Sequence, residues 1–250
     1  MSHATPRLRV FAGPNGSGKS TIKDSLLPQW LGVYVNADDI EKGIRTQGVL
    51  DLAEFGCTAE DVAQLPSFMA QSSLLQLAGL LESASRLRVQ NTQVVFGAEP
   101  VNSYFASVLS DFIRHQLLRA GKSFTFETVM SSPDKVEFMR RAREQGFRTY
   151  LYFVATEDPE INIERVRNRV RNGGHPVPED KIISRYHRSL ELLPAAVEQS
   201  SRAYVFDNST HERTWVAEIT DGDDMELQTD QMPHWFRAAL WDQFAGTADA

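Results

Sequence analysis

The chain has 250 residues, of which 42% are hydrophobic and 24% are charged, and its formal net charge is −7. This balance is typical of a folded globular protein, and the length allows one large domain or one domain with an appendage. A single cysteine, Cys57, excludes a disulfide scaffold and a thiolate-rich metal site, and the six histidines form no HxxxH pair. No apolar run reaches the roughly 18–20 residues that span a bilayer, and the first residues lack the apolar stretch of a signal peptide. We therefore expect a cytoplasmic, reduced protein with no membrane partner.

The net charge is unevenly distributed along the chain. Residues 164–188 hold seven Lys or Arg against three acidic residues, a local charge of +4, so the rest of the chain carries −11. Residues 211–250 alone hold nine acidic residues against two arginines. An acidic protein repels a long polyanion, whereas a local cationic segment suits a small anionic ligand. We therefore expect no nucleic-acid partner.

Short apolar segments alternate with segments of helical periodicity. The predicted strands are, in chain order, Leu8–Ala12, Gly32–Val35, Ser123–Glu127, Arg148–Ala155 and Ala203–Phe206. The predicted helices are 19–27, 39–45, 133–145, 160–171 and 179–199. The first four strands are nearly continuous apolar runs, as in a parallel sheet that is covered on both faces. The alternation predicts an α/β fold with a doubly wound parallel sheet.

Two regions interrupt this alternation within a predicted single domain of residues 1–250. Residues 46–122 have a mostly helical composition around a short apolar run at Val94–Phe96, which indicates a helical insertion. Residues 211–250 predict a C-terminal appendage with edge strands at Thr214–Ile219 and Met225–Gln228 and a Trp-rich helix that opens at Pro233. So few residues precede the first strand that we expect no inhibitory domain N-terminal to it in the same chain.

A glycine-rich motif directly follows the first predicted strand. Residues Gly13 to Ser20 read GPNGSGKS and match G-x-x-x-x-G-K-[ST] at every fixed position. Glycines let the backbone wrap around phosphates, and the following helix adds its positive N-terminal end. Lys19 is expected to reach the β- and γ-phosphates, and the Ser20 hydroxyl to coordinate Mg²⁺. The predicted nucleotide-binding residues are Gly13, Pro14, Asn15, Gly16, Ser17, Gly18, Lys19, Ser20 and Thr21.

The motif predicts a P-loop NTPase-type fold that binds ATP or GTP together with Mg²⁺. The alternative, a simple glycine turn between strand and helix, does not require the lysine and the hydroxyl at these positions. Because the same loop serves kinases, switches and motors, other residues must decide the reaction.

Carboxylates follow the second strand and end the third. In a doubly wound sheet the carboxyl ends of the strands line the ligand crevice, so Asp38, or less favourably Asp39, is a candidate to accept a proton from a substrate hydroxyl. The alternative is helix capping by Asn36 or Asp38. Glu127 interrupts an aromatic strand, where a carboxylate is costly unless it binds a ligand or forms a structural salt bridge.

Arginines recur every second residue in the segment Ile163–Arg171, at positions 165, 167, 169 and 171. On a helix, Ile163, Val166 and Val170 share one face and the arginines flank it. Arginine pairs beside the Gly173-Gly174 loop suit a lid that clamps a transferring phosphate, and a solvated basic face is the alternative.

The acid that ends a Walker-B strand in motors and switches is missing from Arg148–Ala155, which is followed by Thr156. Asp207, in the later segment AYVFDNS, is interpreted as a turn cap. No water-positioning glutamine is recognisable. This pattern favours phosphoryl transfer to an acceptor over a timed hydrolysis switch.

Five blocks in order, AGPNGSGKST, VNADDI, FETVMS, RVxxRVxxGGHxVPxxKIxxRYxRSLxLL and YVFDNS, resemble the zeta-toxin family of P-loop kinases over roughly residues 7–47 and 120–209. The resemblance implies transfer of the ATP γ-phosphate to the sugar 3′-hydroxyl of UDP-N-acetylglucosamine, and a separate antitoxin protein as partner. It also implies a role for Lys19 in neutralising the phosphates and for Asp38 as general base.

The resemblance implies further that Glu127 and Thr128 hold the acceptor sugar and that Arg169 steadies the γ-phosphate. The second lid arginine of the family has no clear counterpart here, so Arg171, His175 or Arg185 is left as its replacement. The chain departs from the family pattern in three places: an Asn-x-Asp base motif, no arginine after the FET block, and the long insertion at 46–122.

The sequence is compatible with two alternatives to a UDP-sugar kinase. The first is a kinase of the same fold that acts on another metabolite, a dinucleotide or an antibiotic, because the insertion lies on the acceptor side of the predicted site. The second is an ATP-gated interaction module that docks partners through the helical insertion and the Trp-rich tail.

Overall fold

A computed structural model describes residues 4–174 and 176–244, and these residues form two compact units. Unit 1 comprises Met1–Leu31 and Glu127–Ala250, and unit 2 comprises Gly32–Phe126. The strands are β1 Arg7–Ala12, β2 Val33–Val35, β3 Val49–Asp51, β4 Arg88–Gln90, β5 Gln93–Val95, β6 Phe124–Thr128, β7 Arg148–Ala155, β8 Arg202–Asp207, β9 Thr214–Thr220 and β10 Asp224–Leu227.

The helices of unit 1 are α1 Ser20–Lys23, α2 Pro28–Leu31, α9 Asp134–Glu144, α10 Pro159–Arg171, α11 Glu179–Glu191, α12 Leu193–Glu198 and α13 His234–Phe236. Those of unit 2 are α3 Ala37–Gln47, α4 Ala59–Val62, α5 Leu65–Ala70, α6 Ser73–Leu77, α7 Leu81–Arg86 and α8 Ser103–Arg119. A 3₁₀ helix at Leu52–Phe55 and a π-helical turn at Arg237–Trp241 complete them. Within the two described segments, no helix is long and apolar enough to cross a membrane.

Unit 1 is built on a mostly parallel sheet. Its strands follow the order β10-β9-β8-β7-β1, with β1, β7 and β8 parallel and the last two strands of the chain added antiparallel. β1 and the second half of β7 are buried along almost their whole length, as predicted from their continuous apolar sequences. The α/β fold class and the strand positions predicted for this sheet are therefore confirmed.

The helices of unit 1 differ from the predicted ones in length. The predicted helix 19–27 is only α1, which has four residues, and the chain then turns before α2. The predicted helix 179–199 is two helices that divide at Leu192, because Pro194 fits the first turn of a new helix but not the interior of a continuing one. The terminal helix opens at Pro233, as predicted.

Unit 2 combines a parallel strand pair with the insertion. β2 and β6 pair in parallel, with Val35 opposite Phe126, and the long helix α8 packs against α3. The insertion is mostly helical, as predicted, but it also contains a three-stranded antiparallel sheet in the order β3-β5-β4. Only the apolar run at Val94–Phe96 indicated part of that sheet.

Helix α3 begins two residues earlier than predicted. Its N-cap is Asn36, whose side-chain oxygen accepts a hydrogen bond from the backbone N–H of Asp38 at 2.8 Å. The capping alternative is therefore confirmed for Asn36, and the carboxylate of Asp38 is not the cap. The helix ends at Gln47, and the next residue, Gly48, adopts the left-handed conformation with φ of +71°.

Candidate active site

The phosphate-binding loop connects β1 to α1 in unit 1, as the motif predicts. A Cβ on Gly13 would lie 1.9 Å from the backbone oxygen of Val154 on β7, and the φ of Gly13 is +136°, so this position requires glycine. The Lys19 Nζ donates hydrogen bonds of 2.8 Å to the backbone oxygens of Gly13 and Pro14. The ammonium group therefore lies over the loop itself, where a phosphate would be cradled.

Two asparagines that the sequence interpretation missed hold this loop from outside. The Asn162 Nδ2, in the first turn of α10, donates to the backbone oxygen of Asn15 at 2.6 Å. The Asn208 Nδ2, directly after β8, donates to the backbone oxygen of Ser17 at 2.7 Å. In the sequence, the polar pair Asn208-Ser209 directly after Asp207 could have indicated the second of these contacts.

A hydroxyl and a carboxylate meet at the start of α1. The Ser20 Oγ donates to Glu127 Oε2 at 3.4 Å, so the structure brings together one residue expected at the metal and one expected at the acceptor. Both are hard oxygen ligands, the type that Mg²⁺ takes in combination with phosphate oxygens and water. The residues present therefore fit the metal ion that the motif implies. No group of three or more metal-binding side chains occurs in the described parts of the chain, so protein ligands alone do not enclose an ion there.

Thr128 has a local backbone contact. Its Oγ1 accepts a hydrogen bond of 3.0 Å from the backbone N–H of Met130, which is buried and has a φ of +55°. A positive φ is uncommon for a residue with a long side chain, and this bond helps to hold the tight turn after β6. The role of Thr128 at the acceptor stays a prediction.

The four arginines of α10 have different surroundings. Arg167 donates to Glu179 Oε1 at 3.0 and 2.6 Å and so joins α10 to α11. Arg165 donates to the backbone oxygen of Thr210 at 3.3 Å. These two side chains therefore make structural contacts within unit 1.

Arg169 and Arg171 have exposed side chains near the end of α10, and the Arg171 Nη1 donates to Asn168 Oδ1 at 3.2 Å. Arg185 is half-buried on α11, and His175 lies outside the described residues. The apolar face predicted for α10 is confirmed, because Ile163 and Val166 form a small core with Ile182 of α11, against which Val170 packs.

Asp207 is a structural residue, as its interpretation as a turn cap predicted. Its carboxylate accepts hydrogen bonds from the Ser209 N–H at 3.1 Å, the Ser209 Oγ at 2.7 Å and the Trp235 Nε1 at 2.7 Å. Trp235 is only 4% exposed and Phe236 is fully buried. The expectation that the Trp-rich tail is a docking surface is therefore wrong for these two side chains, because they form part of the core.

A separate cleft of about 240 Å³ lies in unit 2, between α3, β3 and the 3₁₀ helix that follows. Asn36, the N-cap of α3, and Asp39, in its first turn, line the cleft, whereas Asp38 is not among the lining residues. Two further carboxylates, Asp51 and Glu54, contribute to the wall. The remaining lining residues are Tyr34, Ile40, Gly43, Gln47, Val49, Leu50 and Phe55. A hydrogen bond from the Ala53 N–H keeps the pKa of Asp51 below its usual range, so this carboxylate is charged at neutral pH.

The family model "Zeta toxin" matches residues 97–219, just under half of the chain, a range that includes Glu127 and the arginines of α10 but not the phosphate-binding loop. An uncharacterized protein of Haemophilus influenzae is 32% identical over 72 residues, which cover 29% of this chain and 51% of that protein. The chain thus spans about half the length of this curated relative.

Two solved structures match the chain at low sequence identity. The AvrRxo1-ORF1:-ORF2 complex with ATP matches with a TM-score of 0.54 and 16% identity, covering 96% of this chain and 64% of that one. The PezAT toxin-antitoxin system of Streptococcus pneumoniae matches with a TM-score of 0.47 and 16% identity, covering 100% of this chain and 88% of that one. The chain therefore shares its α/β fold with the AvrRxo1 structure, and it matches the zeta toxin family model over its residues 97–219.

Proposed function

We propose that this protein is an ATP-dependent phosphotransferase that transfers the γ-phosphate of ATP to a hydroxyl group of a small molecule. The observation that carries the proposal is the phosphate-binding loop, in which the Lys19 ammonium group lies over the loop and the Ser20 hydroxyl lies beside the Glu127 carboxylate. A structural glycine turn would require neither arrangement. The match to the zeta toxin family model supports the same reaction class.

In the proposed reaction, the acceptor oxygen attacks the γ-phosphorus, the bond from the γ-phosphorus to the bridging oxygen breaks, and ADP leaves. Lys19 exchanges its carbonyl partners for phosphate oxygens, and Arg169 neutralises the charge that spreads over the γ-phosphate oxygens. Asp38 takes the proton of the acceptor hydroxyl. Ser20 would hold Mg²⁺, which would supply charge neutralisation at the phosphates.

The first acceptor that we propose is a UDP-activated sugar such as UDP-N-acetylglucosamine. This proposal rests on the resemblance to the zeta-toxin family, in which Glu127 and Thr128 correspond to acceptor-binding residues. Both lie at the carboxyl end of β6, and the carboxylate of Glu127 is only partly exposed. A separate antitoxin protein remains a further prediction of the resemblance, and AvrRxo1-ORF1 was itself crystallised in complex with a second protein, ORF2.

The cleft of unit 2 favours a second class of acceptor. Asp39, the residue after the proposed base Asp38, lines this cleft, which would hold the part of the acceptor next to the reacting hydroxyl. Three carboxylates and no lysine or arginine line the cleft, so a diphosphate is repelled there while an amino group is attracted. This observation supports a same-fold kinase that acts on a neutral or amine-bearing acceptor.

Mass spectrometry of the purified protein with Mg·ATP separates these two acceptors. UDP-N-acetylglucosamine is compared with a panel of unphosphorylated, amine-bearing polyols such as aminoglycosides, and Lys19→Ala is the control. An 80-Da addition to one acceptor class, made by the wild type and lost in the control, identifies the reaction and the class together. If no acceptor gains a phosphate and the protein binds no nucleotide, the proposed function is contradicted.

The base assignment is tested with a neighbouring pair of substitutions. We expect Asp38→Asn to lower the transfer rate by about 100-fold or more while Mg·ATP binding changes little, because general base catalysis typically contributes about 10²–10⁴-fold. Asp39→Asn, one residue further along α3, is the matched control and should retain transfer chemistry while altering the KM for the acceptor. Full activity of Asp38→Asn would refute its role as the base.

A further inference from the structure

Two asparagine amides join the phosphate-binding loop to distant parts of unit 1. Asn162 is fully buried, and its Nδ2 donates to the Asn15 oxygen at 2.6 Å. Its orientation is fixed from the other side, since the buried Thr156 Oγ1 donates to Asn162 Oδ1. The Tyr186 hydroxyl in turn donates to the Thr156 backbone oxygen at 2.7 Å. The amide of Asn162 can therefore present only its donor to the loop.

Asn208 makes the equivalent contact from the other side of the loop. Its Nδ2 donates to the Ser17 oxygen at 2.7 Å, and its own backbone N–H donates to the Ala155 oxygen at 2.9 Å, at the end of β7. The approach is close, because a Cβ on Gly18 would lie 2.3 Å from this Nδ2. At the Asn162 contact, a Cβ on Gly16 would lie 2.7 Å from the backbone oxygen of Asn162. Two of the motif glycines thus make room for the asparagine-bearing segments.

These contacts fix the direction of two peptide groups. In a planar trans peptide, the C=O of one residue and the N–H of the next point in opposite directions. Holding the Asn15 and Ser17 oxygens outward therefore turns the N–H groups of Gly16 and Gly18 toward the inner side of the loop. Inward N–H groups are what a phosphate-binding loop presents to its anion.

We propose that Asn162 and Asn208 are positioning residues that hold the loop in its phosphate-binding conformation, an inference that rests on the proposed nucleotide-dependent function. The contact made by Asn162 has a second effect, because Asn162 lies in the first turn of α10, the helix that also carries Arg169. Seven residues along an α-helix span about 10 Å. The same amide therefore sets the position of that arginine's helix relative to the loop.

The test substitutes each amide by the isosteric carboxylate, which removes the Nδ2 donor and places an oxygen against a carbonyl oxygen. Asn102→Asp is the matched control, since the Asn102 side chain caps α8 by accepting hydrogen bonds through Oδ1, which aspartate also does. Mg·ADP binding is measured by calorimetry and the melting temperature by circular dichroism. We expect about tenfold or greater weakening of Mg·ADP binding in Asn162→Asp and Asn208→Asp, and none in the control.

A merely structural role would lower the melting temperature and leave the affinity of the folded molecules unchanged. A positioning role instead raises the KM for ATP and leaves the KM for the acceptor unchanged. If Asn162→Asp does not fold, the variants of the half-buried Asn208 decide the question. Asn208→Ser lacks the repulsive carboxylate oxygen, so its affinity for Mg·ADP is expected to lie between those of the wild type and Asn208→Asp. Affinities within twofold of wild type for both residues would overturn the proposal. Failure of the wild type to bind Mg·ADP would instead overturn the proposed function.

Discussion

At the scale of single residues, the conformation of the phosphate-binding loop depends on glycines whose backbone no other residue adopts easily. Gly13 is the most constrained of them, because the carbonyl of Val154 occupies the place of a side chain. Gly43, in the interior of α3, presents the opposite case: no atom lies within 4 Å of the position that a Cβ would take, and its φ is not positive. The same Gly→Ala substitution should therefore have opposite effects at the two positions.

We expect Gly13→Ala to lower the free energy of unfolding by more than about 2 kcal/mol and to abolish nucleotide binding, because the added carbon collides with backbone and the φ is strained. Gly43→Ala should raise the free energy of unfolding by about 0.5–1 kcal/mol, since alanine loses less conformational entropy in a helix. Urea denaturation measures the free energy of unfolding of both variants. A Gly13→Ala protein with wild-type stability would contradict this interpretation of the loop.

At the scale of secondary-structure elements, the C-terminal segment is joined to the central sheet of unit 1. Trp235 follows Pro233 at the start of α13, and its indole N–H reaches Asp207 at the end of β8. Its ring also lies against Phe153 of β7, with the ring centroids 6.2 Å apart. A segment predicted as an appendage therefore contributes a buried hydrogen bond and apolar contacts to the sheet.

Trp235→Phe should lower the free energy of unfolding by about 1–3 kcal/mol, because it leaves a buried carboxylate short of one donor. Nucleotide affinity should change little, since Asp207 caps a turn rather than binding the metal. Trp215→Phe is the matched control: this indole is 40% exposed, and the change should stay within about 0.5 kcal/mol. Loss of Mg·ADP binding in a folded Trp235→Phe protein would indicate that Asp207 acts at the nucleotide after all.

At the scale of the whole molecule, charge decides which anions the protein binds. The net charge is −7, and part of the cationic segment is neutralised locally, as in the ion pair between Arg167 and Glu179. The segment also exposes Arg169, Arg171, Lys181 and Arg188, but the rest of the chain carries −11 and repels a long polyanion.

We expect binding of a 30-base-pair DNA duplex to be weaker than about 100 µM in 150 mM salt, the weak end of non-specific affinity, since few phosphates can be neutralised. A gel-shift or fluorescence titration checks this, with labelled ADP as the positive control under the same conditions. Micromolar binding that weakens steeply as salt is raised would contradict the expectation.

The local features of this protein could be predicted from the amino-acid sequence alone. The P-loop could be predicted because its glycines, Lys19 and Ser20 lie within one short segment. The sheet of unit 1 could be predicted because β1 and β7 are continuous apolar runs. The N-cap at Asn36 was likewise readable as an alternative, since capping involves residues two or three positions apart.

The residues that hold the loop and the surroundings of each arginine could be known only from the folded chain. Asn162 and Asn208 lie 147 and 191 residues from the carbonyls they bind, and an asparagine has no periodicity that would reveal such a partner. The strands β3 and β4 were missed for a related reason, because three-residue strands are too short for an alternating pattern and gain their stability from pairing with β5. Local chemistry is encoded in adjacent residues, whereas long-range pairing exists only once the chain has folded.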